Sequence, residues 1–181
     1  MTIKYTGSSD LYEQILDPSY QALFESHTYS EGSGTLTLIS GVYSIPANCF
    51  YECEFDTMEL PEGIVSIGSI SFTAATLEEI TFPSTLRSIS LGFNRCENLT
   101  TVTCKAVTPP ELPDDTGADE EYINFPAGET LYVPKNSIEA YRNTIWGQKF
   151  ANILAIPEPP TYGIRFVNVD RNYMDQTRDS K

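Results

Sequence analysis

Hydrophobic positions recur with a period of 22 residues in the first two thirds of the chain, between residues 36 and 104. Three copies of a six-residue segment begin with a large apolar residue and carry further apolar residues at the fourth and sixth positions. These copies are 55–60, 77–82 and 99–104, and a shorter copy at 36–38 falls in the same register. Alternation of apolar and polar residues within each copy predicts a short strand with one buried face.

A second apolar pair follows each strand segment and predicts a second short extended piece in each unit. The pairs are Val42 and Ile45, Ile64 and Ile67, and Leu86 and Ile89. An aromatic residue then enters at Phe50, Phe72 and Phe93. A fixed period in the twenties with this pattern is typical of a leucine-rich-repeat solenoid, whose units bury their apolar faces only against their neighbours. We therefore expect a mainly β fold with short helices, in which four coils stack at the strand spacing of about 4.8 Å.

The segments on either side of the period predict covers for the two ends of the stack. Residues 1–35 predict a strand at 2–5, short helical pieces at 11–16 and 20–24, and a hairpin that leads into the first repeat. Towards the other end, 130–133 predicts a last strand, and 136–142 predicts a helix with Asn136 or Ser137 as its N-cap. The expected divisions are an N-terminal cap (1–35), repeats (36–104), a C-terminal cap with an acidic insert (105–156) and a tail (157–181).

The repeat units resemble the bacterial BspA-type leucine-rich repeats, whose pattern is roughly L-x-x-I-x-I-P-x-x-V-x-x-I-G-x-x-A-F-x-x-C. Residues 99–110 and 131–141, with Trp146 after them, are similar to the closing segment of that family. The chain departs from the pattern at 70–72 and 90–93. The resemblance implies surface exposure and adhesion to proteins or glycans in host-associated bacteria. It also extends to structural proteins of phages that infect such bacteria.

The charge balance is acidic and excludes one class of partner. The chain has 25 Asp and Glu against 11 Lys and Arg, a formal net charge of -14. Nucleic-acid phosphates are contacted by Lys and Arg, so this balance argues against nucleic-acid binding. No apolar run is long enough to predict a membrane span. The first residues lack the pattern of a signal peptide, which leaves two alternatives: a protein outside the general secretory route, or one supplied without its leader.

Motifs of catalysis, cofactor binding and metal binding are not found, and we expect no enzyme activity, no cofactor and no metal site. His27 is the single histidine, and a surface position on a strand or loop is expected for it rather than a catalytic role. The acidic stretch 114–121 predicts a solvated loop or, less favourably, a calcium site. The four cysteines predict buried thiols, with a bridge between stacked turns as the lesser alternative. They are Cys49, Cys53, Cys96 and Cys104.

Two faces and one tail are the candidate binding regions. Outward strand positions form one series on each of two predicted sheets, and either series is a partner-binding face or simply a solvated surface. The series are Thr37, Glu59, Thr81 and Thr103 on one sheet, and Tyr43, Val65 and Arg87 on the other. Beyond a Pro-rich linker, the tail carries an apolar segment that could add a strand to a partner or sister subunit, or dock on its own sheet edge. Its residues are Tyr162, Ile164, Phe166, Val167 and Val169.

These observations favour a non-enzymatic interaction module. The first hypothesis is a virion decoration or fibre protein that self-assembles, or binds other virion proteins, through its tail and contacts the host surface. The alternative is a secreted or surface-anchored bacterial adhesin that binds host proteins or glycans. A hydrolase that uses the acidic stretch is kept only as a nominal third class.

Overall fold

The computed structural model of the protein describes residues 1–113, 125 and 130–158. These residues are mainly in strands and loops, with a few short helices. The strands are β1 (Thr2–Thr6), β2 (Phe24–Ser30), β3 (Ser33–Leu38), β4 (Ser44–Ile45), β5 (Thr57–Glu59), β6 (Ser66–Ile67), β7 (Glu79–Phe82), β8 (Ser88–Ile89), β9 (Thr101–Cys104), β10 (Thr130–Val133) and β11 (Asn152–Ala155).

The helices are short and begin where polar or proline residues favour a helix start. They are α1 (Leu11–Gln14), α2 (Pro18–Gln21), α3 (Ile138–Arg142), which follows a 3₁₀ turn at Lys135–Ser137, and α4 (Ile145–Lys149). The Asp10 side chain accepts a hydrogen bond from the Tyr12 N–H at the start of α1. The predicted helical piece at 20–24 is wrong, because Pro18 favours the first helical position and so starts α2 after Asp17. Phe24 already belongs to β2.

The strands form two sheets that share one hydrophobic core. The long sheet has eight strands in the order β11-β10-β9-β7-β5-β1-β3-β2, and the short sheet has the order β4-β6-β8. Strands β5, β7, β9, β10 and β11 pair in parallel, whereas β1, β2 and β3 pair antiparallel. The predicted hairpin into the first repeat is confirmed as β2 and β3.

Strand partners in the parallel part are 22 residues apart. In the long sheet, Met58 pairs with Ile80, and Ile80 pairs with Val102. In the short sheet, Ile45 pairs with Ile67, which pairs with Ile89. The sequence period therefore equals the register between neighbouring strands, and its apolar members point into the core.

One predicted stacking contact is wrong. The sequence period places the segment at 36–38 directly against the segment at 55–60, but β1 lies between β3 and β5 and pairs antiparallel with both. Ile3 and Tyr5 of β1 are buried, so this strand supplies apolar side chains to the same core. On the other side of the core, β4 contacts β6 with no strand between them. The N-terminal strand thus widens the long sheet by one strand spacing, about 4.8 Å, that the short sheet lacks.

A column of phenylalanine rings runs through the core along the stacking direction. Phe50, Phe72, Phe93 and Phe125 stack with centroid separations of 5.3, 4.8 and 4.9 Å. These separations are close to the spacing of neighbouring strands, because each turn contributes one ring. The first three rings occupy the positions that the sequence predicts, whereas Phe125 lies outside the period. Its ring in turn contacts the Phe150 ring at 5.1 Å and the Trp146 ring at 5.6 Å.

The residues after β10 fold back against the last repeat, as the sequence predicts. The predicted strand at 130–133 is confirmed as β10, and the predicted helix at 136–142 is divided into the 3₁₀ turn and α3. Within the described residues, the buried Ser137 hydroxyl has no hydrogen-bond partner, so it does not act as a side-chain cap. The Trp146 indole N–H donates to the Pro110 carbonyl at 2.8 Å, and the Tyr141 hydroxyl donates to the Ala106 carbonyl at 2.8 Å.

All four cysteines are buried free thiols, which confirms the first of the two predicted alternatives. Burial raises the pKa of Cys49, Cys53 and Cys96 to about 12. Burial also raises the pKa of Cys104. The thiolate is the reactive form of cysteine, so these groups are inert in the folded protein at neutral pH.

Non-glycine residues in the left-handed backbone region recur between the strands. Asn48 has φ 62° and Ile70, 22 residues later, has φ 64°. Asparagine tolerates this conformation, but a β-branched residue there is strained. The Ile70 side chain is 40% exposed, so its burial compensates only in part.

Candidate interaction surface

The outer face of the long sheet, which points away from the core, carries two rows of mostly hydroxyl side chains. Strand pairing aligns one residue from each of the eight strands in each row. Row one, from β2 to β11, is Thr28, Thr35, Lys4, Glu59, Thr81, Thr103, Tyr132 and Leu154. Row two, in the same direction, is Ser30, Ser33, Thr6, Thr57, Glu79, Thr101, Thr130 and Asn152. Residues at the alternate positions of the parallel strands are buried, so the rows are the solvent side of the sheet.

Hydrogen bonds between neighbouring strands hold several of these hydroxyls in place. The Thr6 and Thr57 hydroxyl oxygens are 2.8 Å apart, and those of Thr28 and Thr35 are 2.7 Å apart. Threonine is β-branched and has few side-chain rotamers. Little conformational entropy is therefore lost when a ligand orders this surface. A hydroxyl can donate and accept, so the rows can pair with either kind of polar group.

A small charge network sits in the middle of row one. Glu59 is 2.8 Å from the Lys105 ammonium and 3.6 Å from the Lys4 ammonium. The hydrogen bond from Lys105, with the charges of both lysines, lowers the pKa of Glu59 below its usual range. All three side chains are substantially exposed, so the network contributes little to stability. It does fix the position of charge on an otherwise neutral part of the face.

A groove of about 490 Å³ lies over β1 and its neighbours on this outer face. Its polar lining includes Thr6, Thr35, Thr57 and Thr81 together with Lys4 and Glu79. The groove lies where the antiparallel strands β1 and β3 meet the parallel strands β5 and β7. The insertion of β1, which the sequence period does not predict, therefore contributes directly to the most concave part of the outer face.

The structure brings three of the sequence-predicted surface residues together. Glu59, Thr81 and Thr103 lie on adjacent strands in one row. The expected membership of Thr37 in this row is wrong, because β1 intervenes and Thr37 pairs with Thr2. Lys4, which the sequence pattern did not single out, holds the position next to Glu59. Only the N-terminal strand pairing reveals it, since residue 4 lies outside the period.

The other two predicted surface residues lie on the short-sheet side of the molecule. Tyr43, Val65 and Arg87 follow one another in the stack, with the Val65 N–H donating to Tyr43 and the Arg87 N–H to Val65, both at 2.8 Å. Glu111 continues this series, since its N–H donates to the Arg87 carbonyl at 2.8 Å. The Tyr43 side chain is exposed, and Arg87 donates to the carbonyls of Ser84 and Leu86. The two predicted faces thus point in different directions from the core and cannot form one site.

His27 is an exposed strand residue, as predicted, but it has partners that the sequence does not reveal. Its Nδ1 lies 3.1 Å from a carboxylate oxygen of Asp10. The imidazole stacks on the Tyr12 ring with a centroid separation of 4.1 Å and an interplanar angle of 7°. The Glu13 carboxylate is close to both, because ligand atoms of Asp10, Glu13 and His27 lie within 4.8 Å of one another. Three separate segments contribute these residues, so no sequence motif records their meeting.

Comparison with known proteins decides the family. Residues 25–109 match the sequence model of the BspA type leucine rich repeat region in six copies. The chain carries a BspA-type leucine-rich repeat region. The match includes β2 and β3 as well as the predicted repeats at 36–104, so the family assignment predicted from the sequence is confirmed. A search of curated proteins found no match to the chain.

Membership of the BspA-type family indicates the general kind of function. Such repeats serve as protein-interaction or adhesin-like modules, are typically non-enzymatic, and are typical of surface or secreted bacterial proteins. Among the described helices, none is both long enough and apolar enough to cross a membrane.

Proposed function

We propose that this protein is a non-enzymatic binding module that uses the outer face of its long sheet as the docking surface. The observation that carries the proposal is the alignment of two rows of hydroxyl side chains across all eight strands. Such rows present fixed donors and acceptors over a wide area, and the groove over β1 supplies a concave centre. The BspA-type repeat region supports a binding role.

The proposed architecture is a short solenoid of 22-residue repeats with a cap at each end. The 22-residue register of the parallel strands supports the repeats at 36–104. Strands β1 to β3 support an N-terminal cap that extends the predicted unit at 1–35 by the length of β3. The fold-back of Trp146 and Phe150 onto Phe125 supports the C-terminal cap at 105–156. In such an arrangement the end coils would otherwise expose their apolar residues.

The proposed partners are surface proteins or glycans, and a binding screen with matched variants tests the proposal. The full chain is screened against arrays of host matrix proteins and of glycans, in parallel with Thr81→Arg and Val65→Arg. Thr81→Arg places a long cation in row one beside the groove, whereas Val65→Arg makes an equally large change on the short-sheet side. Ligands that bind the unmodified protein are expected to lose affinity for Thr81→Arg and to keep it for Val65→Arg. Loss only with Val65→Arg would refute the assignment to the long sheet.

The biological setting is a separate proposal with two forms. In the first, the protein is a virion decoration or fibre protein that assembles through Tyr162, Ile164, Phe166, Val167 and Val169, which lie outside the described residues. In the second, it is a secreted or surface-anchored adhesin that acts as a monomer. Light scattering of the full chain and of a chain that ends at Ile156 distinguishes them. An oligomer that becomes a monomer on truncation supports assembly through the tail, and two monomers contradict it.

The calcium hypothesis for the acidic stretch stays a prediction, because 114–121 lies outside the described residues. Calorimetric titration of the full chain with Ca²⁺ is the direct test. The absence of both heat and thermal stabilisation would end it.

A further inference from the structure

A second cluster of chemically reactive side chains lies near the N-terminal end of the long sheet, beyond the edge of the groove. It comprises Asp10 before α1, Glu13 within α1 and His27 on the edge strand β2. Together they present an imidazole nitrogen and two carboxylates towards one point. This cluster is separate in chemistry from the hydroxyl rows, and the proposed docking function does not use it.

Buried groups hold Asp10 in a fixed orientation. The Leu11 N–H donates to the Tyr5 hydroxyl at 3.1 Å, so the single hydroxyl hydrogen of Tyr5 is available to Asp10, whose Oδ1 it meets at 2.9 Å. The Tyr12 N–H donates to the same Oδ1 at 3.0 Å. Two donors thus occupy Oδ1, and Oδ2 is the oxygen that faces His27. Tyr5 itself is buried, and a Cβ at Gly34 would collide with its ring, so the hydroxyl has little freedom to move away.

The imidazole is also held in position. The Tyr12 ring supports one face of the His27 ring over its full area, since the two planes are almost parallel. Nδ1 of His27 and Oδ2 of Asp10 are 3.1 Å apart. Two ligands of a tetrahedral ion with bonds of about 2.0–2.1 Å lie roughly 3.3 Å apart, so this pair already has nearly the separation that an ion requires. Glu13 is exposed, and rotation of its side chain can complete the site.

We propose that Asp10, Glu13 and His27 form a binding site for a divalent transition-metal ion of the Zn²⁺ class. A nitrogen ligand with two carboxylates suits Zn²⁺, Ni²⁺ or Co²⁺, whereas Mg²⁺ and Ca²⁺ prefer oxygen ligands alone. The two carboxylates neutralise the charge of the ion. The ion replaces the hydrogen now between Nδ1 and Oδ2, so the neutral imidazole keeps its hydrogen on the other nitrogen. The fourth position is open to water or to a donor from a bound partner.

The hydrogen bond from Tyr5 to Asp10 gives the site the kind of support that metal ligands commonly have. Metal-bound carboxylates are usually hydrogen-bonded in turn, and removal of such a partner typically weakens metal affinity by about 10–100-fold. The same tyrosine lies in the core and belongs to the N-terminal strand. The site is therefore formed by the folded arrangement of β1, α1 and β2 and does not exist in the unfolded chain.

Zinc titration of the full-length protein tests the proposal. Isothermal calorimetry with ZnCl₂ is expected to show one ion per chain, and the thermal midpoint is expected to rise with zinc and return to its original value with EDTA. Because His27 is the single histidine, its ring signals in an NMR spectrum report directly on coordination and are expected to shift with the same stoichiometry. His27→Gln and Asp10→Asn are each expected to weaken binding by more than about 100-fold.

Asp17→Asn is the matched control, because Asp17 also precedes a short helix and caps it with its side chain but has no histidine beside it. This variant is expected to bind zinc as the unmodified protein does. Circular dichroism in EDTA shows whether each variant is folded, and Glu13→Gln, an exposed change, provides a test should Asp10→Asn fail to fold. The proposal is overturned by the absence of binding up to millimolar zinc. It is equally overturned by undiminished binding in His27→Gln, which would place the ion elsewhere.

Discussion

Replacement of Phe72 by leucine tests whether the column of rings in the core stabilises the fold. Phe72 is fully buried and stacks on Phe50 at 5.3 Å and on Phe93 at 4.8 Å. It also meets the Phe55 ring edge-on at 6.4 Å. Each aromatic pair contributes about 0.5–1.5 kcal/mol beyond its burial, so the three pairs together contribute about 1.5–4.5 kcal/mol. Phe72→Leu keeps an apolar side chain in place but removes all three ring contacts.

Phe24→Leu is the matched control for this change. Phe24 is also buried, but its ring makes one edge contact, with Tyr12 at 6.3 Å, among the described ring pairs. Its replacement is expected to cost only about 0.5–1.5 kcal/mol in ring contacts. Urea unfolding of both variants, followed by far-UV circular dichroism, gives the two changes in the free energy of unfolding. Equal losses for the two variants would refute the claim that ring stacking supplies this stability.

Three further predictions concern single side chains and the thiols. Ile70→Asn is expected to raise the free energy of unfolding by about 1 kcal/mol, because asparagine tolerates a φ of 64° and isoleucine does not; thermal unfolding checks this, and the reverse change Asn48→Ile should be destabilising. Ser137→Ala is expected to be neutral or stabilising by up to about 1 kcal/mol, because it removes a buried hydroxyl without a partner among the described residues; a loss of about 1 kcal/mol, as for an ordinary N-cap, would show that the hydroxyl is bonded. The native protein is expected to resist Ellman's reagent at pH 8 and to expose its thiols only on unfolding. Because burial raises the pKa of Cys49, Cys53 and Cys96 from 9.0 to about 12, their contribution to stability is intact below pH 9 and falls as pH rises towards 12, where only the unfolded chain ionises readily; urea unfolding across that range measures it.

The repeat part of the fold could be predicted from the sequence because it depends on local periodicity. Ile45, Ile67 and Ile89 share a position in the period, and the structure pairs them directly. The same logic placed Phe50, Phe72 and Phe93 in the core. Each of these residues contacts its own equivalents, so the spacing along the chain contains the three-dimensional neighbour relation.

The N-terminal strand shows where periodicity stops being informative. The sequence pattern of Thr2–Thr6 predicts a strand but does not identify its partners, because pairing depends on which sheet edge is available. The structure places it between β3 and β5, which displaces Thr37 from the predicted row and brings Lys4 next to Glu59. Phe125 has the same explanation. It continues the column of rings from a segment with no repeat pattern, so its position could not be derived from spacing.

The candidate sites follow the same division. Glu59, Thr81 and Thr103 were predicted together because they share one position of the repeat. Asp10, Glu13 and His27 were not, because their approach depends on how β2 crosses the start of α1. His27 alone indicated a surface residue, and only its distance of 3.1 Å to Asp10 suggests a further role.

The most direct test of the docking surface is a footprint of the first ligand that the binding screen identifies. Hydrogen exchange measured by mass spectrometry on the full chain, with and without that ligand, compares protection in the long-sheet strands with protection around Tyr43 and Arg87. The account predicts increased protection in β1, β3, β5 and β7, the strands that form the groove. Protection confined to the short-sheet side, with no change in those four strands, would contradict it.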